Sequence, residues 1–93
     1  MTIEDKVVFA DTVFAQEVDG EMVLLDMNSE NYFGMDEVGS TIWQAIEVHN
    51  GDLRKVLETL LEQYDVDAKT LQNDLLHFVE NLQTHGLVKV ERR

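Results

Sequence analysis

The apolar residues of this chain change their period about a third of the way along. As far as Met35 they fall in short β-rich runs divided by turn residues, and from Val38 onward they recur at three- and four-residue steps. A period of two suits one face of a pleated strand and a period of 3.6 suits one face of a helix, so a sheet comes first and helices follow. With 93 residues there is apolar material for one core only, and the two kinds of element must share it. A single domain over residues 1–93 is expected, its core running from about 12 to 90.

Two runs, Thr12 to Val18 and Glu21 to Met27, flank Asp19-Gly20. A two-residue Asp-Gly loop suits a type I′ turn, whose central residues need positive φ. That register sets Phe14 opposite Leu25 and Gln16 opposite Val23. Phe14, Val23, Leu25 and Met27 then share one face, the expected core side. After the polar Asn28-Ser29-Glu30, the run Tyr32 to Met35 reads as a third strand, short and at an edge.

Three helices follow. Asp36 is a good N-cap with Glu37 in the first turn. Val38, Ile42, Ala45, Ile46 and His49 form the stripe of the first helix, beside Trp43, and Asn50-Gly51 ends it. The second helix, about Asp52 to Tyr64, shows an apolar face of Leu53, Val56, Leu57, Leu60, Leu61 and Tyr64. Asp67 caps the third, with Val66 and Leu71 spaced as a hydrophobic staple. Its core face is Leu71, Leu75, Phe78, Val79 and Leu82, and Gly86 stops it. A short strand, Leu87 to Val90, precedes the polar Glu91-Arg92-Arg93. The expected fold is α+β and winged-helix-like: a three-stranded antiparallel meander, three helices and a short C-terminal strand.

Charge narrows the partners. Nineteen acidic residues against seven basic ones give a net charge of -12, which repels nucleic acid and anionic membrane surfaces. The third helix, the recognition helix of a DNA-binding winged helix, carries one lysine against Asp67, Asp74 and Glu80, too few cations for phosphate contacts. No nucleic-acid or membrane partner is expected. The absence of cysteine excludes disulfides, thiolate nucleophiles and cysteine-based metal sites. The N-terminal stretch has no apolar run of signal-peptide type, and no segment reaches the roughly 20 apolar residues of a membrane span. A cytoplasmic protein is expected.

No catalytic constellation emerges. His49, His77 and His85 lack ligand spacing, and two of them lie near helix C-termini, where a cation is favoured by the dipole. Asp26, Glu30, Asp36 and Glu37 cluster around the third strand, as a solvated acidic rim or a site for basic side chains. Ser29 and Ser40 sit in no nucleophile elbow, and Gly34 and Gly39 make no phosphate loop. No catalytic residue, metal site or cofactor is expected, and the chain does not read as an enzyme.

The remaining signal is the third strand, which has no proline and no charge between Tyr32 and Met35. An unblocked edge offers main-chain N–H and C=O groups to an added strand. Leu76 and Val79, continued by Gln72 and Gln83, give the third helix an apolar flank that makes a groove with that edge. The same pattern also arises if the helix face is merely wide or if the terminal strand covers the edge.

The stretch from Leu24 to Trp43, with Leu25-Asp26, Tyr32-Phe33-Gly34-Met35-Asp36, Gly39 and Ile42-Trp43, resembles the front half of PqqD-like proteins. The spacing of Leu57, Leu61, Tyr64, Asp67, Leu75, Phe78, Leu82, Gly86 and Leu87 is similar to their closing helices. The resemblance implies a recognition element for ribosomally made precursor peptides, which takes the leader as an extra strand. It assigns Asn31, Tyr32, Phe33, Gly34 and Met35 as backbone partners, with Leu75, Leu76, Val79 and Gln83 as the helix side of the groove. Asp36 and Glu37 are placed to meet basic leader residues. The implied partners are a precursor leader and a modifying enzyme of the same pathway: a leader protease and cyclase in lasso-peptide pathways, or a radical SAM enzyme in PQQ biosynthesis. As a domain with no fused enzyme, the chain favours a standalone leader-binding protein of lasso type, with PqqD itself open. The competing class is an assembly or regulatory module using the same edge, with DNA binding third.

Overall fold

The computed structural model describes residues 1–92; Arg93, at the end of the expected polar tail, lies outside the described residues. In chain order the elements are β1 (Lys6–Phe9), β2 (Val13–Val18), β3 (Glu21–Asp26), β4 (Asn31–Gly34), α1 (Glu37–Val48), α2 (Leu53–Gln63), α3 (Ala68–Thr84) and β5 (Val88–Glu91). The fold is α+β. β2, β3 and β4 form an antiparallel meander in that order, and β1 pairs antiparallel with β5 in a separate two-stranded sheet.

Local chemistry accounts for most boundaries. Asp19 and Gly20 take φ of 52° and 84°, as a type I′ turn requires, and the hairpin pairs Phe14 with Leu25 and Gln16 with Val23. Asp36, Asp52 and Asp67 each accept a backbone N–H from the residue three positions on, satisfying donors that helix geometry leaves without partners. α1 and α3 both end in paired backbone bonds of the Schellman type, Gly51 to Ile46 with Asn50 to Glu47, and Leu87 to Leu82 with Gly86 to Gln83. The left-handed position falls on Asn50 in the first and Gly86 in the second.

The face of the hairpin is opposite to the one expected. Met22, Leu24 and Asp26 point into the core, whereas Phe14 is 61% and Met27 55% exposed, and Val23 and Leu25 are half-buried. β3 reads Glu-Met-Val-Leu-Leu-Asp, with apolar residues on both faces, so alternation alone cannot choose between them. The choice is made by α1, which packs on β3 and holds the Met22 backbone through Ser40. Outside the core, Phe14, Leu25 and Tyr32 form a row across the three strands.

β1 was not anticipated, and through it the core begins before residue 12. Val7 is buried, and Met1, Ile3 and Phe9 pack against the core. The Phe9 ring lies 4.4 Å from that of Trp43. β1 finds its partner at the far end of the chain, so no turn or short-range period marks it. The helices meet the sheet through Ile42, Trp43, Ile46, Leu53, Val56, Leu60, Leu75, Val79 and Leu82, all buried. No described helix is long and apolar enough to cross a membrane.

Candidate peptide-binding site

β4 is the last strand of its sheet, and no other described strand pairs with its outer side. β5, which was the internal candidate for covering it, is taken up by β1. The direction of the β4 main chain follows from one bond. Met35 N–H donates to the Met22 carbonyl at 2.9 Å, so Met35 belongs to the bonded phase of the antiparallel ladder. Bonded and non-bonded pairs alternate, and the register pairs Phe33 with Leu24 and Asn31 with Asp26 in the same phase. Tyr32 and Gly34 occupy the other phase, and their N–H and C=O groups point to the open side.

Both ends of β4 are fixed by side chains. At its start, Asp26 Oδ1 accepts the Asn28 N–H at 3.0 Å and Oδ2 accepts the Ser29 hydroxyl at 3.0 Å. The Asp26 carbonyl accepts from Glu30, which takes φ of 61°. Burial alone raises the Asp26 carboxyl, but hydrogen bonds from Asn28, Ser29 and Thr12 outweigh it and hold the group below the ordinary carboxylate value. At the other end the Ser40 hydroxyl accepts the Met22 N–H at 2.7 Å and donates towards the Met35 carbonyl at 3.4 Å. It replaces the rung that would otherwise close the ladder there.

Beside the edge lies a groove of about 400 Å³. Its walls are Phe33, Gly34 and Met35 of the β4 segment, and Asp74, Phe78, Asn81 and His85 of α3; Val38, Gly39 and Ile42 of α1 lie between them. Gly39 permits the close approach of α1 and α3, since an added Cβ would sit 3.3 Å from the Phe78 ring and 3.2 Å from Asp36 Oδ1. His85 stands edge-on to Phe33, with ring centroids 5.3 Å apart. Its Nδ1 lies 2.8 Å from the Asn81 carbonyl, which can only accept, so the proton is on Nδ1. The groove is apolar in its depth and acidic at its rim. Asp36 and Asp74 line it, and no lysine or arginine does.

The sequence-derived residues separate into two groups. Asn31 to Met35 form the edge strand and its exit, and Asp36 lines the groove while capping α1 through Gly39 N–H at 2.7 Å. Glu37 is exposed and faces the hairpin tip at Asp19, Gly20 and Glu21. The helix-side residues lie elsewhere than the groove wall. Leu75 and Val79 are fully buried in the core, Leu76 is half-buried against it, Gln83 is exposed, and none of the four lines the groove. The flank facing β4 is Asp74, Phe78, Asn81 and His85, spaced by four, three and four residues. An aromatic residue on an otherwise polar helical stripe is the one signal in the sequence that could have found it. Among the described residues no acidic or histidine cluster is arranged to hold a metal.

This edge and groove lie within the segment that matches a known family: the pattern of coenzyme PQQ synthesis protein D (PqqD) fits residues 21–88. The chain belongs to the PqqD family. Two solved structures share its fold. One, TbiB1 in complex with the TbiA(beta) leader peptide, is 32% identical, with a TM-score of 0.83 over 88% of this chain and 94% of that one. The other, lasso peptide synthetase B1 complexed with the leader peptide, is 21% identical, with a TM-score of 0.80 over 90% and 98% of the two chains. Comparison with curated proteins gives no match. Within the matched segment, individual residues have separate physical tasks. Asp26 organises the turn, Phe33 walls the groove, Asp36 caps α1, Gly39 admits Phe78, and Ile42 and Trp43 are core.

Proposed function

We propose that this chain binds the leader region of a ribosomally made precursor peptide as a fourth strand on β4 and presents it to the modifying enzymes of a peptide natural-product pathway, without itself catalysing a reaction. The observation that carries this is the outward main chain of Tyr32 and Gly34 running beside an apolar groove. PqqD membership supports it, as does the leader peptide bound by the 32%-identical structural relative.

Magnitudes indicate how binding divides. Tyr32 and Gly34 each offer a donor and an acceptor, and a net contribution of about 1 kcal/mol per bond is of the same order as the roughly 2–5 kcal/mol needed to order a flexible peptide. The strand bonds therefore set direction and register, and net affinity comes from side chains buried between Phe33 and Phe78 at about 25 cal/mol per Å². Asp36 and Asp74 favour a basic residue at the rim. Held this way, the core peptide stays near a partner enzyme at a local concentration on the order of mM for a short flexible connection. A lasso-type leader protease and cyclase fit this role, with a radical SAM enzyme of PQQ type as the alternative, in a cytoplasmic setting.

The test is Gly34→Pro. It removes an N–H that makes no bond within the sheet, at an edge position where proline is tolerated, and open space surrounds the site of an added Cβ. Titration with the leader of a cognate precursor should show 1:1 binding to the parent and a loss of about tenfold or more in the variant, with an unchanged circular dichroism spectrum. Equal affinity would remove strand addition from the mechanism. Association of the protein with itself in the absence of peptide would favour an assembly module using the same edge.

A further inference from the structure

The depression beside β4 does not end at the groove. A second cavity of about 190 Å³ opens between the first turns of α1 and the loop joining α2 to α3, and Val38, Ile42 and Asp74 line both spaces. The two spaces therefore adjoin across these three residues, beside the N-terminus of α1. The far end is walled by Tyr64, Val66 and Leu71. Val66 and Leu71 have the spacing of a hydrophobic staple, which closes when the two side chains pack together. Here the cavity leaves apolar surface uncovered: Val66 is 48% exposed, and Val38, which lines the same space, is 52% exposed.

We propose that this cavity is a second anchor subsite for the same peptide, receiving one aliphatic or aromatic side chain from the residues that continue past the Gly34 end of the paired segment. The proposal rests on the leader-binding reading above and extends it to a second, separated specificity determinant. Adjacency to the groove names the occupant, because a chain leaving the β4 edge at this end meets Val38 and Ile42, which line both spaces. The volume agrees: about 190 Å³ is below the roughly 300–1,000 Å³ of small-molecule sites and suits a single side chain. Asp74 stands at the junction of the two spaces, so the residue bridging the anchors is basic or neutral. A second copy of this chain is the poorer occupant, since both partners would carry a net charge of -12.

Random peptides displayed on phage and selected on the immobilised chain, in parental, Gly34→Pro and Val66→Asp forms, test this without knowledge of the natural leader. The parent should enrich peptides with two apolar positions separated by a segment rich in lysine or arginine. Val66→Asp should enrich only the first position, and Gly34→Pro neither. A peptide selected on the parent should bind Val66→Asp about tenfold more weakly, and alanine at its second apolar position should abolish that difference. Val66→Ser provides the same comparison if the aspartate variant fails to fold. Equal affinity of the parent and both Val66 variants overturns the subsite and leaves strand addition standing. Failure of the parent to enrich any peptide overturns the leader-binding reading, and the subsite with it.

Discussion

The Ser40 hydroxyl accepts the Met22 N–H at 2.7 Å, joining residues eighteen apart in the chain. Helix α1 is thereby fastened to the sheet at the place where β4 ends. Because the same hydroxyl reaches towards the Met35 carbonyl, it sets the exit of the edge strand as well as the seat of the helix. Ser40 is 2% exposed, so the Met22 N–H has no nearby solvent to replace it. Ser40→Ala should cost about 1–3 kcal/mol, the range for a buried donor left without a partner, read as a lower denaturation midpoint at unchanged slope. Peptide affinity should fall in the same variant, since the strand end that presents Gly34 is then released.

Gly51 is the most constrained glycine. It holds φ of 82°, and an added Cβ would lie 1.8 Å from the Val7 carbonyl oxygen. Its own carbonyl accepts the Val7 N–H at 2.9 Å. Gly51→Ala must therefore displace β1 as well as adopt a left-handed backbone, and should destabilise the chain by about 3 kcal/mol or more. Chemical denaturation measures this. Gly34→Ala is the comparison: with nothing within 4 Å of an added Cβ, it should leave stability close to that of the parent.

Asp26 gives the fold an acid dependence whose sign is fixed. Its carboxyl is held below the ordinary value of 3.8 by bonds that require the charged form. A group depressed on folding contributes its full stability above the unfolded value and loses it as pH falls through the folded one. Asp26→Asn should thus melt below the parent near neutral pH, with the gap closing as pH drops below the ordinary carboxylate range. Melting curves across pH 2 to about 7 would show the convergence, and a gap independent of pH would assign the Asp26 contribution to shape alone.

What could be seen in advance depended on whether the cause was local. The Asp19-Gly20 turn, the caps at Asp36, Asp52 and Asp67, and the stops at Asn50-Gly51 and Gly86 each act within a few residues, and each was legible. The resemblance carried by Tyr32-Phe33-Gly34 and Ile42-Trp43 led to the correct family. β1 was not legible, because Val7 and Phe9 gain their partners from Val90 and Val88 at the opposite end of the chain. The buried face of β3 was not legible either, because Met22 and Leu24 compete with Val23 and Leu25 on equal apolar terms.

The helix side of the groove differs from the sequence reading for a third reason. Leu75, Leu76 and Val79 are strongly apolar residues near the middle of α3, and apolarity alone does not separate a binding flank from a core face. A core helix spends its most apolar residues inward, and Leu75 and Val79 have no exposed surface left for a ligand. The flank turned to β4 is the mixed one, Asp74, Phe78, Asn81 and His85.

That distinction can be tested with two exposed positions on opposite sides of α3. Asn81 lines the groove and Gln83 does not, and successive residues turn by about 100° around a helix, so two positions apart they face in nearly opposite directions. Both side chains are exposed, and surface substitutions of this kind typically change stability by less than about 0.5 kcal/mol. Asn81→Trp should place an indole across the groove mouth and weaken peptide binding by about tenfold. Gln83→Trp should bind as the parent does. Isothermal titration of the two variants with one peptide decides the matter: equal losses in both would mean that the bound strand wraps further around α3 than the Phe33–Phe78 groove allows, and a loss in Gln83→Trp alone would return the binding flank to the Leu76 side.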